Sequence, residues 1–153
     1  MTSPGTPYRP HTLLVARGWL ELATPEAVRV GDGLPKADDA LRQVGFVRVA
    51  TAGGSPSVEN PMRHPVVAAE CWVAPPKEGS QLTPWNAAAR LAEWVIAATS
   101  TPQLQGRLVD LTGYGAYSPA RVHTVVALTE PRRVEGDPSN YARFDLDLHF
   151  HWS

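Results

Sequence analysis

From Tyr141 to Trp152 the chain alternates without a break. Phe144, Leu146, Leu148, Phe150 and Trp152 are apolar, and Arg143, Asp145, Asp147, His149 and His151 between them are polar. Successive side chains of a strand point to opposite faces, so this pattern calls for a sheet with one buried and one wet face. Fully extended, the segment would reach about 40 Å, whereas a chain of this length has a radius of gyration of only about 15 Å. The strand is therefore expected to cross the whole domain. Its far end, with Phe150 and Trp152, is expected to emerge near the surface, which makes these two aromatics candidate subunit-interface residues.

The rest of the chain supplies partners for such a strand. Leu13, Ala16, Leu20 and Ala23 recur at helical spacing, widened by Val15, Trp19 and Leu22, interrupted by Gly18 and stopped by Pro25. Ala27 to Gly31 predicts a first strand, ended by the turn residues Asp32-Gly33-Leu34-Pro35, and a short helical turn follows over Asp38 to Val44. Phe46 to Ala50 predicts a second strand closed by Gly53-Gly54, with Ser55 to Arg63 as an exposed loop. Val66 to Val73 is the third strand, with Val67, Ala69, Cys71 and Val73 on one face, so Cys71 is expected to be buried.

After the linker Pro75 to Ser80, Thr83-Pro84 reads as an N-cap and first-turn pair. The helix it opens packs Trp85, Ala88, Ala89, Ala92, Val95, Ile96 and Thr99 on a sheet, with Leu91 and Trp94 extending the apolar surface, and ends at Pro102. Arg107 to Leu111 and Arg121 to Leu128 complete the strands, and Pro131 to Asn140 reads as a long loop. The expected fold is mixed α/β (α+β), a mainly antiparallel sheet flanked by two principal amphipathic helices. Residues 1–10, with Pro4, Pro7 and Pro10, form a flexible arm before a single domain over 11–153.

A chain of 153 residues can bury roughly 70% of its unfolded surface and so build its own core. With 43% hydrophobic and 19% charged residues it belongs with globular chains, not disordered ones. A formal charge of -1 leaves no surplus of cations for a nucleic-acid backbone, and Arg132-Arg133 reads as a solvated pair in a turn. Cys71 is the single cysteine, which excludes an internal disulfide or a Cys-based zinc site and fits a reducing cytoplasm. No signal peptide and no membrane span are expected.

No chemistry-bearing motif survives inspection. Asp145, Asp147, His149 and His151 share one strand face, where His-x-His could hold a metal, but an open solvated face produces the same letters. No metal is expected. Gly113 to Ser118 lacks a nucleophile elbow, and Gly31-Asp32-Gly33 lacks the remaining glycine and helix start of a dinucleotide site. His64, between Arg63 and Pro65, reads as a structural imidazole. The aromatic residues, among them Trp19, Trp85 and Trp94, occupy positions compatible with a core rather than with base stacking. No catalytic residue, cofactor or metal ligand is assigned, and the chain is not expected to be an enzyme.

One family shares this order of elements. The first helix, the Val28-Arg29-Val30-Gly31 strand ending in Leu34-Pro35, the Phe46-Val47-Arg48-Val49 strand with Gly53-Gly54, the Val-rich strand ending at Trp72, the Ala-rich helix and the Tyr141 to Leu148 strand together resemble the tail terminator proteins of long-tailed bacteriophages (siphophages). The resemblance runs over roughly residues 10 to 152 and rests on no single diagnostic motif. It implies a structural subunit that forms a homo-oligomeric, hexameric ring on the tail tube, ends tube polymerisation and docks the head-tail connector protein, with DNA passing through the lumen unread. The place implied is the virion, at the head-tail junction, after assembly in the host cytoplasm. The alternatives are another head-to-tail connector or tail-tube ring subunit, or a small metal-dependent enzyme using the Asp145 to His151 face.

Overall fold

The computed structural model describes residues 5–25, 27–56 and 61–153. In chain order the elements are α1 (Thr12–Ala23), β1 (Arg29–Gly31), α2 (Asp39–Gln43), β2 (Phe46–Pro56), β3 (Arg63–Val73), α3 (Trp85–Thr99), β4 (Arg107–Val109), β5 (Ala120–Ala127), β6 (Arg132–Val134) and β7 (Ala142–Trp152). Among the described residues the strands form one seven-stranded sheet in the order β1-β2-β3-β7-β5-β4, with β6 also paired to β7. β1 runs parallel to β2, and the other neighbouring pairs are antiparallel. The fold is thus the expected α+β arrangement.

β7 lies at the centre because both of its edges are paired. β3 runs along one edge, from Val73↔Ala142 to Arg63↔Trp152. The other edge is divided: β5 takes Leu148 to Trp152, and β6 takes Arg143 to Asp145. Between them the Leu128 amide donates to the Asp147 carbonyl (2.8 Å), and the Asp147 amide donates to Thr129 Oγ1 (3.1 Å). A side-chain oxygen thus accepts from the backbone donor at the break in the ladder.

The apolar half of the β7 alternation, with Val47, Val49, Val67, Ala69, Cys71 and Val125, forms the core under α1 and α3. Trp19 of α1 stands edge-on to Phe150, ring centroids 5.6 Å apart, and donates its indole N–H to the Leu104 carbonyl at 2.9 Å. Gly18 does not interrupt α1. A Cβ there would lie 2.8 Å from Leu111 and Val109 side-chain atoms, so the glycine lets the helix approach the β4 end of the sheet. In α3 the buried stripe is Ala88, Leu91, Ala92, Val95 and Ala98. Trp85, Ala89, Ile96 and Thr99 flank it half-buried, while Trp94 is half-exposed and outside the core.

Several expectations are corrected. Thr83 does not cap α3: Pro84 occupies the cap position, with no side-chain cap bond. Gly53-Gly54 does not close β2. The strand passes through a bulge between Thr51 and Gly53 and stays paired to Pro56↔Arg63. Gly54 has a φ of +88°, and a Cβ there would lie 2.4 Å from the His64 carbonyl, so the glycine admits the close approach of β3 within a continuing strand and does not make a turn. Ser55, Pro56 and Arg63 therefore belong to strands, and residues 57–60 of the expected loop lie outside the described residues. The Pro131–Asn140 stretch contains β6. Of the expected arm, residues 1–4 lie outside the described residues. Tyr8 is tied down: its amide donates to the Ala116 carbonyl (2.8 Å), and its carbonyl accepts from the Ser118 amide (2.9 Å).

Cys71 is fully buried on the face assigned from sequence. Burial raises its thiol pKa far above the ordinary value, and the Asp145 and Glu70 carboxylates add to the effect. It should resist thiol reagents in the native protein and label stoichiometrically only in denaturant. Leu148, also fully buried, tests the packing of the central strand. Its replacement by alanine should cost about 2–5 kcal/mol of stability in urea unfolding.

Candidate interaction surface

The polar half of β7 faces away from α1 and α3, on the open side of the sheet. Register sets Arg48, Glu70, Asp145 and Arg132 in one row across β2, β3, β7 and β6. Two carboxylates directly opposite each other repel, and the row needs a compensating cation. Arg143 supplies it. Its guanidinium forks onto both Asp145 oxygens at 2.8 Å and reaches Glu70 Oε2 at 3.5 Å. Glu70, itself buried, also accepts from Arg48 Nη1 at 2.7 Å and from the Trp72 indole at 3.0 Å. Arg143 lies 5.1 Å from the Trp72 ring centroid.

Asp147 faces Arg132 at 3.5 Å. The arginines Arg48, Arg132 and Arg143 are thus matched by Glu70, Asp145 and Asp147, and this face carries little net charge. Next to it, Val126 (49% exposed) and Leu128 (51% exposed) point the same way from β5 and its end. Val126 is in register with His149, which pairs on its other side with Val66. Half-exposed aliphatic groups bordered by matched charges form a surface suited to another protein.

Four of the chain's five histidines gather at the far end of the sheet. His64 lies opposite His151, with ring centroids 5.2 Å apart, and His149 and His151 are 4.4 Å apart. Thr124 Oγ1 is 3.0 Å from His151 Nδ1, and His123 Nε2 is 2.9 Å from Ser153 Oγ. Sequence alone placed His149 beside His151 but could not bring in His64 or His123, because their approach depends on the β3, β5 and β7 registers. Among the described residues no group of three or more His, Cys, Asp or Glu side chains is placed to hold a metal ion. Asp145 and Asp147, the other half of the weighed set, are engaged by Arg143 and Arg132.

Phe150 and Trp152 do not reach the surface as expected. They are 1% and 5% exposed and lie on the helix-covered face. The end of the strand is covered by β5, β3 and α1. Arg63 sits over the Trp152 ring, 5.2 Å from the centroid. Arg132 and Arg133 are exposed as expected, but they belong to β6 and not to a turn. Arg133 lies 3.8 Å over the Trp85 ring and pairs with Glu135 at 3.0 Å. The Ser118 hydroxyl donates to the Tyr8 carbonyl at 3.3 Å, a structural tie for the loop weighed as a nucleophile site. Beside Gly31-Asp32-Gly33, the Asp32 carbonyl accepts from Arg48 Nε at 3.0 Å.

Neither descriptions of known protein families nor curated proteins match this sequence. Among solved structures the chain is similar to a chain of the virion of a native gene transfer agent (GTA) particle, at 13% sequence identity and a TM-score of 0.47. The alignment covers 93% of this chain and 85% of that one.

The histidine cluster gives a pH prediction. Burial, then repulsion from His149, His64 and His123, lowers the His151 pKa below its ordinary 6.5. The folded protein thus binds fewer protons at this site than the unfolded chain between the two pKa values. The contribution of His151 should be neutral above about pH 6.5 and turn destabilising as pH falls below it. A His64→Gln, His149→Gln double variant should raise the His151 pKa in an NMR titration without restoring it fully, because burial remains. An unchanged His151 titration would remove the neighbouring imidazoles as a cause.

Proposed function

We propose that the chain is a structural subunit of a phage-type virion, a tail terminator that forms a hexameric ring on the end of the tail tube. In that role it stops tube polymerisation and offers a docking surface to the head-tail connector, with DNA passing through the lumen. The observation that carries the reading is the open sheet face: matched charges beside half-exposed Val126 and Leu128. Such a face suits repeated contact with protein and gives a polyanion little to hold. The order of elements shared with the terminator family supports the finer role, and the absence of any assigned catalytic residue is consistent with it. The site of action would be the head-tail junction of the virion.

In this reading a ring closes through heterologous contacts, each subunit using one surface toward one neighbour and another toward the next. Phe150 and Trp152 contribute from beneath, holding β7 and its open face in place, rather than by touching a neighbour.

Val126→Glu with Leu128→Glu should leave the fold intact, since both side chains are half-exposed, but abolish assembly. Light scattering gives the mass, circular dichroism the fold, and electron microscopy with purified tail tubes the capping. A wild-type protein that stays monomeric and ignores tail tubes would count against the terminator role. A double variant that assembles normally would remove this face from the contact.

A further inference from the structure

Beyond the open face, the opposite side of the sheet holds a pocket that the fold itself does not use. It lies at the N-terminus of α1, has a volume of about 350 Å³, and is lined by Thr12, Thr51, Gly53, Gly54, Pro56, Arg63 and Pro65. Thr12 is the first residue of the helix. Its hydroxyl is buried, the residue being only 8% exposed, and has no hydrogen-bond partner among the described residues.

The position explains the orphaned group. Thr24, Thr99 and Thr101 each turn their hydroxyl back onto a carbonyl of the preceding helical turn. Thr12 has no preceding turn, so that solution is closed to it. At the same helix end the His11 ring accepts from the Leu14 amide at 3.3 Å, and the His11 carbonyl accepts from the Val15 amide at 3.1 Å. The Thr12 and Leu13 amides have no acceptor inside the helix. The aligned peptide dipoles place roughly half a positive charge there.

A cation stands across the pocket. Arg63 opens β3, and its register partners Pro56 and Trp152 hold its backbone on both sides. The Trp152 ring supports the guanidinium, which makes no ion pair among the described residues. Among the described residues no acidic side chain lines the pocket. Gly53 adds no side chain to its wall, and a Cβ there would meet nothing within 4 Å.

We propose that this pocket is an oxoanion site that takes a carboxylate. The Arg63 fork, the Thr12 hydroxyl and the helix-end amides are all donors, and a single full cation matches a monoanion with two acceptor oxygens. The proposal does not depend on the ring reading. Its source is either a free small carboxylate or an acidic side chain on another polypeptide.

The test is an amide NMR titration of the full chain with acetate, with inorganic phosphate, and with a blocked tripeptide carrying one central glutamate, each against sodium chloride of equal ionic strength. Acetate and the tripeptide should shift the Thr12, Leu13 and Gly53 amides saturably, and chloride should not. Tripeptide binding at least tenfold tighter than acetate identifies a protein-borne carboxylate, and equal binding a free one. Thr12→Val and Arg63→Gln should each weaken acetate binding at least fivefold, and Thr12→Ser should restore it. Persistent protection of Cys71 from thiol reagents shows that each variant is folded, and Arg63→Lys supplies a milder loss if Arg63→Gln is not. No saturable shift below about 100 mM acetate, shifts unaffected by Thr12→Val and Arg63→Lys, or tighter binding of phosphate than of acetate would each overturn the assignment.

Discussion

The structure depends on β7 being hydrogen-bonded along both edges. β3 runs along one edge, β5 and β6 share the other, and the Thr129 hydroxyl fills the break between them. A strand with fixed neighbours on both sides cannot slip. A shift of one residue would turn Asp145, Asp147 and His149 under the helices and Leu148 and Phe150 into water. The alternating sequence and the two ladders enforce the same register, and Trp19, edge-on to Phe150 and bonded to the Leu104 carbonyl, fixes α1 over it.

With α1 and α3 on one side, the two faces of the sheet serve different ends. The covered face holds the continuous core and buries Cys71, Phe150 and Trp152. The open face must keep its polar residues compatible with one another without α1 or α3 over them, α2 packing only at its Phe46 end. Glu70 and Asp145 are brought face to face by the same register that builds the core, and Arg143 with Arg48 compensates them. The buried carboxylate of Glu70 is tolerable because two guanidinium groups and an indole N–H surround it. The resulting face is ordered and nearly neutral, and Val126 and Leu128 stay beside it half-exposed.

The elements legible in the sequence are those whose signal is local. α1 and α3 carry an apolar stripe of helical period, and β3 and β7 a period of two, so their type and inward faces follow from neighbouring residues. The misreadings share a cause as well. Gly53-Gly54 has the composition of a turn, but a bulge needs the same positive φ, and only the continued pairing to Pro56↔Arg63 separates the two. Arg132-Arg133-Val134 has no alternating apolar signal. It becomes a strand because β5 leaves part of the β7 edge unpaired. Gly18 looked like an interruption of a helix until Leu111 and Val109, some ninety residues away, explained the need for close approach.

The candidate surfaces divide along the same line. Residues 141–152 alone imply a sheet with one wet face, and the spacing of Val67, Ala69, Cys71 and Val73 implies a buried thiol, because alternation is a property of the covalent chain. Which residues meet across strands is set instead by registers between residues as far apart in the chain as Arg63 and Trp152. Those registers put His64 against His151, set Glu70 beside Asp145, and carry Arg63 to the pocket under the first turn of α1. They also bury Phe150 and Trp152, since strand length says how far a chain reaches but not what will cover its end.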